Sequence, residues 1–368
     1  MMIKNLKISN FRCFDNFDIH EFERVNLIGG RNNSGKTALL EALYLNSAPS
    51  SKTIMNLRQI RSESLEFLKT IPAKAWDYLF FDKSKLKKII KIVAESEEKI
   101  KEIEIVCDDS IEQFEEFFEN EDEDEETQEI EELKTILIEN ENKRSVLNIY
   151  TRTDTNRLLS ASMIANSKGV ITKTQNISSF NDVNFIPSFL RITNPALAEE
   201  FDKADLEGYS DDILKIVQSI DSSIEQIKTL NIGKSSIYLK KQTNEYLPIT
   251  LFGEAVYRVI QFALRIVNNR NGILLVDEIE NGIHYTSQDD LWTILFQLAI
   301  NFNIQIFATT HSYEMIKSFS KIAHKFESET GAYFEIAKSA KKNKTIAIKR
   351  DIEVLKYELS QEMEFRGE

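Results

Sequence analysis

A glycine-rich segment near the amino end of the chain carries residue types that bind phosphate. Residues 29–45, GGRNNSGKTALLEALYL, match the spacing G-x-x-x-x-G-K-[ST] of a phosphate-binding loop. Loop N–H groups and the amino end of a following helix attract anions, because both present partial positive charge. The segment therefore predicts a nucleotide site in which Lys36 binds the β- and γ-phosphates and Thr37 binds Mg²⁺. The predicted loop residues are Gly30, Asn32, Asn33, Ser34, Gly35, Lys36 and Thr37.

Two apolar runs later in the chain end in polar residues that suit the same chemistry. The run Ile273–Val276 is followed by Asp277 and Glu278, and the segment IQIFATTHS contains His311. An aspartate at the end of a core strand can hold the hydration shell of Mg²⁺ beside Thr37. Glu278 is placed to orient or deprotonate a water that attacks the γ-phosphate, and His311 could contact the same phosphate or water. The sequence therefore predicts hydrolysis as well as binding.

Strand and helix patterns surround these residues in the order that the chemistry needs. RVNLIG, before the loop, is a short apolar run, and TALLEALYL, after it, has apolar residues at helical spacing. The two later apolar runs are typical of central strands that are covered on both faces. GEAVYRVIQFALRIVNN predicts an amphipathic helix, and AYFEIAKSAKKNKTIAIKR predicts a hairpin before a last helix. Together these patterns predict an α/β fold built around a P-loop.

The middle of the chain predicts two additions to this fold. Alternating apolar and polar residues in LKKIIKIVAESEEKIKEIEIVC and RSVLNIYTR predict an antiparallel β lobe, interrupted by an acidic insertion at residues 110–145. From about Pro187 the pattern turns helical, with apolar residues at three- and four-residue spacing as far as Leu230. We interpret residues 1–368 as one domain, with residues 187–232 as a helical subdomain insertion.

Charge and cysteine content limit the classes of function. The net charge is −13, but residues 119–132 hold ten acids and no base, so the remainder is close to neutral. This composition lacks the basic stripe of an autonomous nucleic-acid binder. The sequence has no run of 18 apolar residues, and its charged amino end is unlike a secretory signal. With only Cys13 and Cys107 as cysteines, we expect reduced thiols, a cytoplasmic protein and no membrane partner.

The motifs together resemble the ABC-type ATPases, in particular the branch that holds the SMC, RecF and overcoming-lysogenization-defect (OLD) proteins. The resemblance is carried by NFRCF, GGRNNSGKT, LLVDEIENGIH and FATTHS, and it spans Asn10 to about Ser318. GILLVDEIENGIHY and QIFATTHSYE are especially similar to stand-alone ATPases that bacteria encode beside a nuclease or toxin in anti-phage systems, such as the ATPase subunit of PARIS-type systems. The resemblance implies the fold of an ABC-type ATPase head that uses ATP and Mg²⁺.

The resemblance also implies roles for single residues. Arg12, in NFRCF, would reach the nucleotide, Asp277 would support Mg²⁺, and Glu278 would be the catalytic base. His311 would be the switch histidine that contacts the γ-phosphate. DEIENGIH resembles the Walker B and D-loop of OLD-type ATPases, in which a histidine, here His284, replaces the usual aspartate.

A signature segment is implied where LPITLFGEAVYR precedes the amphipathic helix. In this family the signature acts on the ATP of a partner molecule across a head-to-head dimer. Thr250, Gly253 and Glu254 occupy the corresponding positions. The usual serine-glycine-glycine is absent, since Leu251 and Phe252 stand before the glycine, and Thr250 would supply the hydroxyl.

Two other family features have candidates of different quality. Arg58 or Arg61 stands where SMC-like heads carry an arginine that stimulates hydrolysis. The glutamine loop of the family has no clear counterpart, because Gln113 and Gln128 lie in or beside the acidic stretch.

The leading hypothesis is an ATP-gated switch. Two heads would close on two ATP molecules and control a separately encoded effector, a nuclease or a toxin. The alternative is a RecF-like repair ATPase with DNA as its partner. The subunit of a transporter is disfavoured by the degenerate signature, and a nuclease by the lack of a second carboxylate or His/Cys cluster. GTP is disfavoured because the base-reading pattern N/T-K-x-D is absent.

Overall fold

The computed structural model describes residues 2–83, 89–107, 144–152, 156–174, 182–189, 191–242, 245–327, 330–339 and 344–360. The strands are β1 (Ile3–Phe11), β2 (Phe14–Ile19), β3 (Val25–Gly30), β4 (Ile89–Ser96), β5 (Ile100–Cys107), β6 (Ser145–Arg152), β7 (Arg157–Asn166), β8 (Gly169–Thr174), β9 (Val183–Ile186), β10 (Ile224–Ile232), β11 (Lys234–Lys241), β12 (Tyr246–Pro248), β13 (Ile273–Val276), β14 (Gln305–Thr309), β15 (Gly331–Ser339) and β16 (Lys344–Arg350). The helices are α1 (Lys36–Ser47), α2 (Ser51–Ile60), α3 (Leu65–Thr70), α4 (Asn194–Leu206), α5 (Ser210–Gln218), α6 (Glu254–Val267), α7 (Gln288–Asn301), α8 (Tyr313–Ala323) and α9 (Ile352–Ser360).

The central sheet has six strands in the order β16-β15-β3-β14-β13-β9, all parallel except β16. Every residue of β13 and β14 is buried. Alternate residues of β13 enter two different parts of the core, with Ile273 and Leu275 on one face and Leu274 and Val276 on the other. The continuous apolar runs arise because this sheet is covered on both faces. The predicted central strands and P-loop α/β fold are therefore confirmed.

A seven-stranded antiparallel sheet, in the order β2-β1-β4-β5-β6-β7-β8, forms the predicted β lobe. Helix α1 lies against it, since Leu39 and Leu43 share a core with Ile92 and Ile103 of the lobe. The Asn46 side chain fastens the end of α1 to the lobe by donating to the backbone carbonyls of β4 and β5 at 3.1 Å. The antiparallel lobe thus supports the helix that follows the phosphate loop. Most of the acidic insertion predicted at 110–145 lies outside the described residues, as do Gln113 and Gln128.

The segment predicted to be helical contains two helices and one strand. Helices α4 and α5 lie within the predicted range, but residues 224–232 form β10 of a three-stranded sheet in the order β10-β11-β12. The helical prediction was wrong for this strand because pairing with β11 buries Ile224 beside Ile237 and Leu239, which outweighs the local helical spacing. Whether residues 187–232 are a separate subdomain stays a prediction.

Candidate functional site

The phosphate loop joins β3 to α1 with two glycines in conformations that favour glycine. Gly30 has φ of 144°, and a Cβ there would lie 2.5 Å from the Ile336 carbonyl oxygen. Gly35 has φ of 106° and is the N-cap of α1. Both positions are in the region of backbone space that L side chains rarely adopt. The loop therefore places the first N–H groups of α1 at the mouth of a cavity, as the motif predicts.

Lys36 folds over this loop. Its ammonium group donates to the carbonyl oxygens of Gly30 at 2.8 Å and Arg31 at 2.9 Å. Burial lowers the pKa of Lys36, and the carboxylates of Asp277 and other nearby acids oppose that effect. The buried Ser34 hydroxyl has no hydrogen-bond partner within the part of the chain that the structure describes. The loop thus holds a charged donor and a buried hydroxyl side by side.

The predicted metal-binding pair, Thr37 in the first turn of α1 and Asp277 after β13, is brought together at the carboxyl edge of the central sheet. Thr37 Oγ1 lies 3.1 Å from both carboxylate oxygens of Asp277. Thr309, at the end of β14, donates its hydroxyl to Asp277 at 2.7 Å. Burial raises the pKa of Asp277, while the two hydroxyl hydrogen bonds oppose that rise. Thr309 was missed by sequence reasoning, although its place at the end of a buried strand was a usable signal.

Glu278 projects into the same cavity from a constrained backbone. Its φ is 50°, an uncommon conformation outside glycine, and its N–H donates to the Thr309 hydroxyl at 2.8 Å. One carboxylate oxygen accepts from the Asn281 side chain at 3.1 Å. The Glu278 side chain is 40% exposed, so its carboxylate is open to water. One hydroxyl, that of Thr309, therefore fixes both acids of the DE pair.

His311 lies beside this pair but contacts a different acid more closely. Its Nδ1 is 2.8 Å from Glu280 Oε1 and 4.0 Å from Glu278 Oε1. The His311 backbone N–H also donates to Glu280 at 2.8 Å. The Glu280 side chain is only 10% exposed. Sequence reasoning missed Glu280, whose signal was an acid two residues beyond the expected pair in DEIE.

The cavity in front of the loop has a volume of about 710 Å³, and side chains of both charges line it away from the loop. Glu41, fully buried in α1, accepts from Arg12 Nε at 3.0 Å and from Arg61 Nε at 2.6 Å. Arg12 and Arg61 both line the cavity. Arg58 is buried and donates to the Ala75 carbonyl oxygen at 2.8 Å, outside the cavity lining. Of the two arginine candidates, Arg61 is thus the one that faces the site.

Sequence reasoning missed Glu41, although a lone acid in the apolar run TALLEALYL was a signal for a buried charge with partners. It also missed residues of the cavity wall beyond the phosphate loop, because these lie in or between short 3₁₀ turns or just after α2, in segments without a motif. Those residues are Glu63, Tyr78, Phe80, Asp82 and Lys83.

The predicted signature residues lie apart from this cavity. Thr250, Gly253 and Glu254 are exposed at the start of α6, and none of them lines the cavity. Glu254 pairs with Arg191 at 3.2 Å and lies against Gly282 of the D-loop-like segment. The chain therefore does not bring its own signature segment to its own phosphate loop. His284 is likewise exposed, with Nδ1 2.9 Å from the Thr286 hydroxyl.

The arrangement of donors fits a nucleotide with Mg²⁺. Among the described residues, no cluster of three or more His, Cys, Asp and Glu side chains could hold a metal ion. Thr37 and Asp277 offer oxygen ligands from two elements, and Mg²⁺ usually fills its other positions with waters and substrate phosphates. The unpartnered Ser34 hydroxyl and the Lys36 ammonium could serve as donors for such phosphates.

Comparison with known proteins identifies the family. Residues 1–316 match the AAA ATPase domain family. The chain belongs to this family. A protein of Helicobacter pylori (strain ATCC 700392 / 26695) named ATP/GTP phosphatase is 23% identical over 339 residues, which cover 87% of this chain and 88% of that protein. The DNA replication and repair protein RecF of Nitrosococcus oceani is 47% identical over 45 residues, 12% of each chain.

Solved structures agree on the fold of this AAA ATPase. An Smc head bound to the C-terminal winged-helix domain of ScpA has a TM-score of 0.51 at 12% identity and covers 96% of this chain and 99% of that one. An Smc head with an extended coiled coil, bound to the C-terminal domain of ScpA derived from Pyrococcus furiosus, has a TM-score of 0.50 at 10% identity, with coverage of 98% and 99%. The chain therefore has the fold of these heads, that of a P-loop ABC-type ATPase. In the described residues, no helix is long and apolar enough to cross a membrane.

Proposed function

We propose that this AAA ATPase binds Mg-ATP and hydrolyses it slowly, as a regulatory step. The observation that carries the proposal is the position of Thr37 Oγ1, 3.1 Å from both Asp277 oxygens, with Glu278 next in sequence and in the same cavity. Lys36 and the loop N–H groups would bind the β- and γ-phosphates. Thr37 and Asp277 would hold Mg²⁺, which would supply positive charge to neutralise the phosphates.

Glu278 and Glu280, the acids beside the loop, would have different roles in hydrolysis. Glu278, open to water, would accept a proton from the water that attacks the γ-phosphate. Glu280 contacts Nδ1 of His311. The other ring nitrogen, Nε2, is therefore the one that would face the γ-phosphate or the attacking water. Arg12 and Arg61, fixed by the buried Glu41, would stabilise phosphate charge from the opposite wall.

The separation of the signature segment from the cavity supports self-association. Thr250, Gly253 and Glu254 are exposed, and the apolar neighbours Leu251 and Tyr285 are 68% and 66% exposed. In a head-to-head dimer, or a larger assembly, each signature would complete the site of a second copy. Burial of these apolar side chains would favour that contact.

This dimer model has a direct test. Light scattering of Glu278→Gln, which should trap ATP, is compared with and without Mg-ATP. We expect an increase in mass with ATP and none in Lys36→Ala. A monomer under all conditions would exclude the dimer model. A constitutive dimer or larger ring would retain it and assign ATP a role in rearrangement within the assembly.

The finer role that we propose is control of a separately encoded nuclease or toxin in anti-phage defence, as in OLD-type and PARIS-type systems. It is supported by the similarity of DEIENGIH and FATTHS to those ATPases. The docking surface proposed for the effector is the segment 187–230. Its helices α4 and α5 carry many exposed polar residues. The acidic residues 119–132 would steer a basic partner.

Expression with and without the neighbouring gene, followed by phage challenge, tests this role. We expect protection only when both genes are expressed. Full protection from this chain alone, or none from the pair against a broad phage panel, would move the RecF-like repair function to first place. That alternative is favoured by the 45-residue match to RecF.

A further inference from the structure

The three-stranded sheet β10-β11-β12 has two faces of opposite character. One face packs on α4, since Ile237 and Leu239 are fully buried and the Thr229 hydroxyl bonds the Asp202 carboxylate of that helix. Because side chains alternate along a strand, the even-numbered residues beyond the bulge at the start of β10 lie on the other face, which we call the outer face. Its residues are Gln226, Lys228, Leu230, Ile232, Lys234, Ser236, Tyr238, Lys240, Tyr246 and Pro248. Gln226, Ile232 and Lys234 are exposed there, Ser236 is buried, and the other side chains are half-buried.

The charge of the outer face is opposite to that of the whole protein. It holds Lys228, Lys234 and Lys240 and no carboxylate, in a chain with a net charge of −13. None of these three lysines forms an ion pair within the described part of the chain. The nearest acids in sequence are Glu225, at the bulge that opens β10, and Glu245, just before β12. Three lysines on one face without an ion pair in the described residues, Lys234 exposed and the other two half-buried, favour a polyanion.

Two aromatic rings lie between these lysines. Tyr238 of β11 pairs directly with Lys228 of β10, and Tyr246 of β12 pairs directly with Lys240 of β11. The Lys228 ammonium lies 3.6 Å from the centroid of the Tyr246 ring. Aromatic rings interleaved with cations can stack bases while the cations bind phosphates. The run from Lys234 to Lys240 extends roughly 20 Å along one strand.

We propose that the outer face binds single-stranded nucleic acid, with the three lysines on phosphates and the two tyrosines stacked on bases. The arrangement selects a single strand because stacking requires bases that are free of a duplex. Contacts to phosphates and ring faces give no preference for sequence. This inference does not depend on the proposed ATP switch, because it uses none of the residues at the phosphate loop.

Fluorescence anisotropy with labelled dT20 tests the proposal over a series of salt concentrations. We expect K228E/K234E/K240E to lower affinity by at least tenfold and to reduce the slope of log K against log salt by about 2, since each single-strand phosphate contact contributes roughly 0.7. A control variant, K74E/K168E/K317E, makes the same charge change at three other exposed lysines and should bind as the unchanged chain does.

A second pair of variants tests the aromatic rings. Y238A/Y246A should weaken binding about 30-fold or more, whereas Y238F/Y246F should retain it, because phenylalanine keeps the stacking ring. Thermal unfolding and ATP turnover of each variant show whether the fold and the ATPase site are intact. The proposal is overturned if the unchanged chain fails to bind dT20 at about 50 mM salt. It is equally overturned if the two triple variants lose affinity alike, or if a 20-base-pair duplex binds more tightly than dT20.

Discussion

The phosphate-loop cavity and the segment Thr250–Glu254 differ in how completely one chain surrounds them. At the loop, Thr37, Asp277 and Thr309 are joined by hydrogen bonds of 2.7 to 3.1 Å. At Gly253, by contrast, an added Cβ would meet no atom within 4 Å. One region is therefore positioned by its own fold, and the other is open. In the proposed dimer model, a single chain would bind ATP, while hydrolysis would depend on the second copy that covers the open segment.

The largest effect should come from Lys36→Ala. Loss of the ammonium group removes the main charged donor for the phosphates, so we expect ATP affinity to fall at least about 100-fold and turnover to be lost. Titration with a fluorescent ATP analogue measures the affinity. Lys52→Ala, at an exposed lysine on α2, is the matched control and should bind normally. Unchanged affinity in Lys36→Ala would contradict the assignment of this loop.

Glu278→Gln should separate binding from chemistry. The amide cannot accept the proton of the attacking water, so turnover should fall roughly 100-fold or more while ATP affinity is retained. Phosphate release and nucleotide titration are measured on the same preparation. If Glu278→Gln lost as much affinity as Lys36→Ala, the role of catalytic base would be wrong.

Thr309→Val tests whether the loop region owes its order to one hydroxyl. The change removes the Thr309 donor to Asp277, which keeps its hydrogen bond from Thr37, and it removes the acceptor for the Glu278 N–H. We expect the free energy of unfolding to fall by about 1–3 kcal/mol and turnover to fall about tenfold. Denaturant unfolding measures the first quantity. Thr310→Val, which removes only the acceptor for the Ser312 N–H, should cost less.

Thr250→Ala should have the smallest effect. It tests most directly the contrast between the phosphate-loop cavity and the open segment Thr250–Glu254. The side chain is exposed, so stability should change by less than about 0.5 kcal/mol and the ATP affinity of the isolated chain should stay the same. Turnover should fall a few-fold, and only at protein concentrations where the chain associates. A loss that is equal at all concentrations would place Thr250 in the site of its own chain.

The spacing of the motif was enough to predict the phosphate-loop side of the cavity, because a P-loop requires fixed residue types at fixed separations. Gly30, Gly35, Lys36 and Thr37 form the loop, and Asp277 meets Thr37 across the sheet. The central strands were likewise predictable, since burial on both faces leaves a continuous apolar run. The roles of these residues in binding and catalysis remain predictions.

Tertiary contacts determined what the sequence could not show. Residues 224–232 have apolar positions compatible with a helix, and only pairing with β11 makes them a strand. Glu41 and Glu280 have no motif of their own, and their partners Arg12, Arg61 and His311 are distant in sequence. Side chains that hold other side chains in place carry no spacing signal, because the fold alone brings them together.

The strand that leads into the phosphate loop lies between two strands from the last third of the chain. Val25 of β3 pairs with Ile306 of β14 on one side and with Gly331 of β15 on the other. During synthesis on the ribosome, β3 emerges well before both of its neighbours in the sheet. A nascent chain therefore cannot assemble the nucleotide site before β14 and β15 leave the ribosome. The order of the sheet ties formation of the nucleotide site to the synthesis of two strands that are distant from it in the sequence.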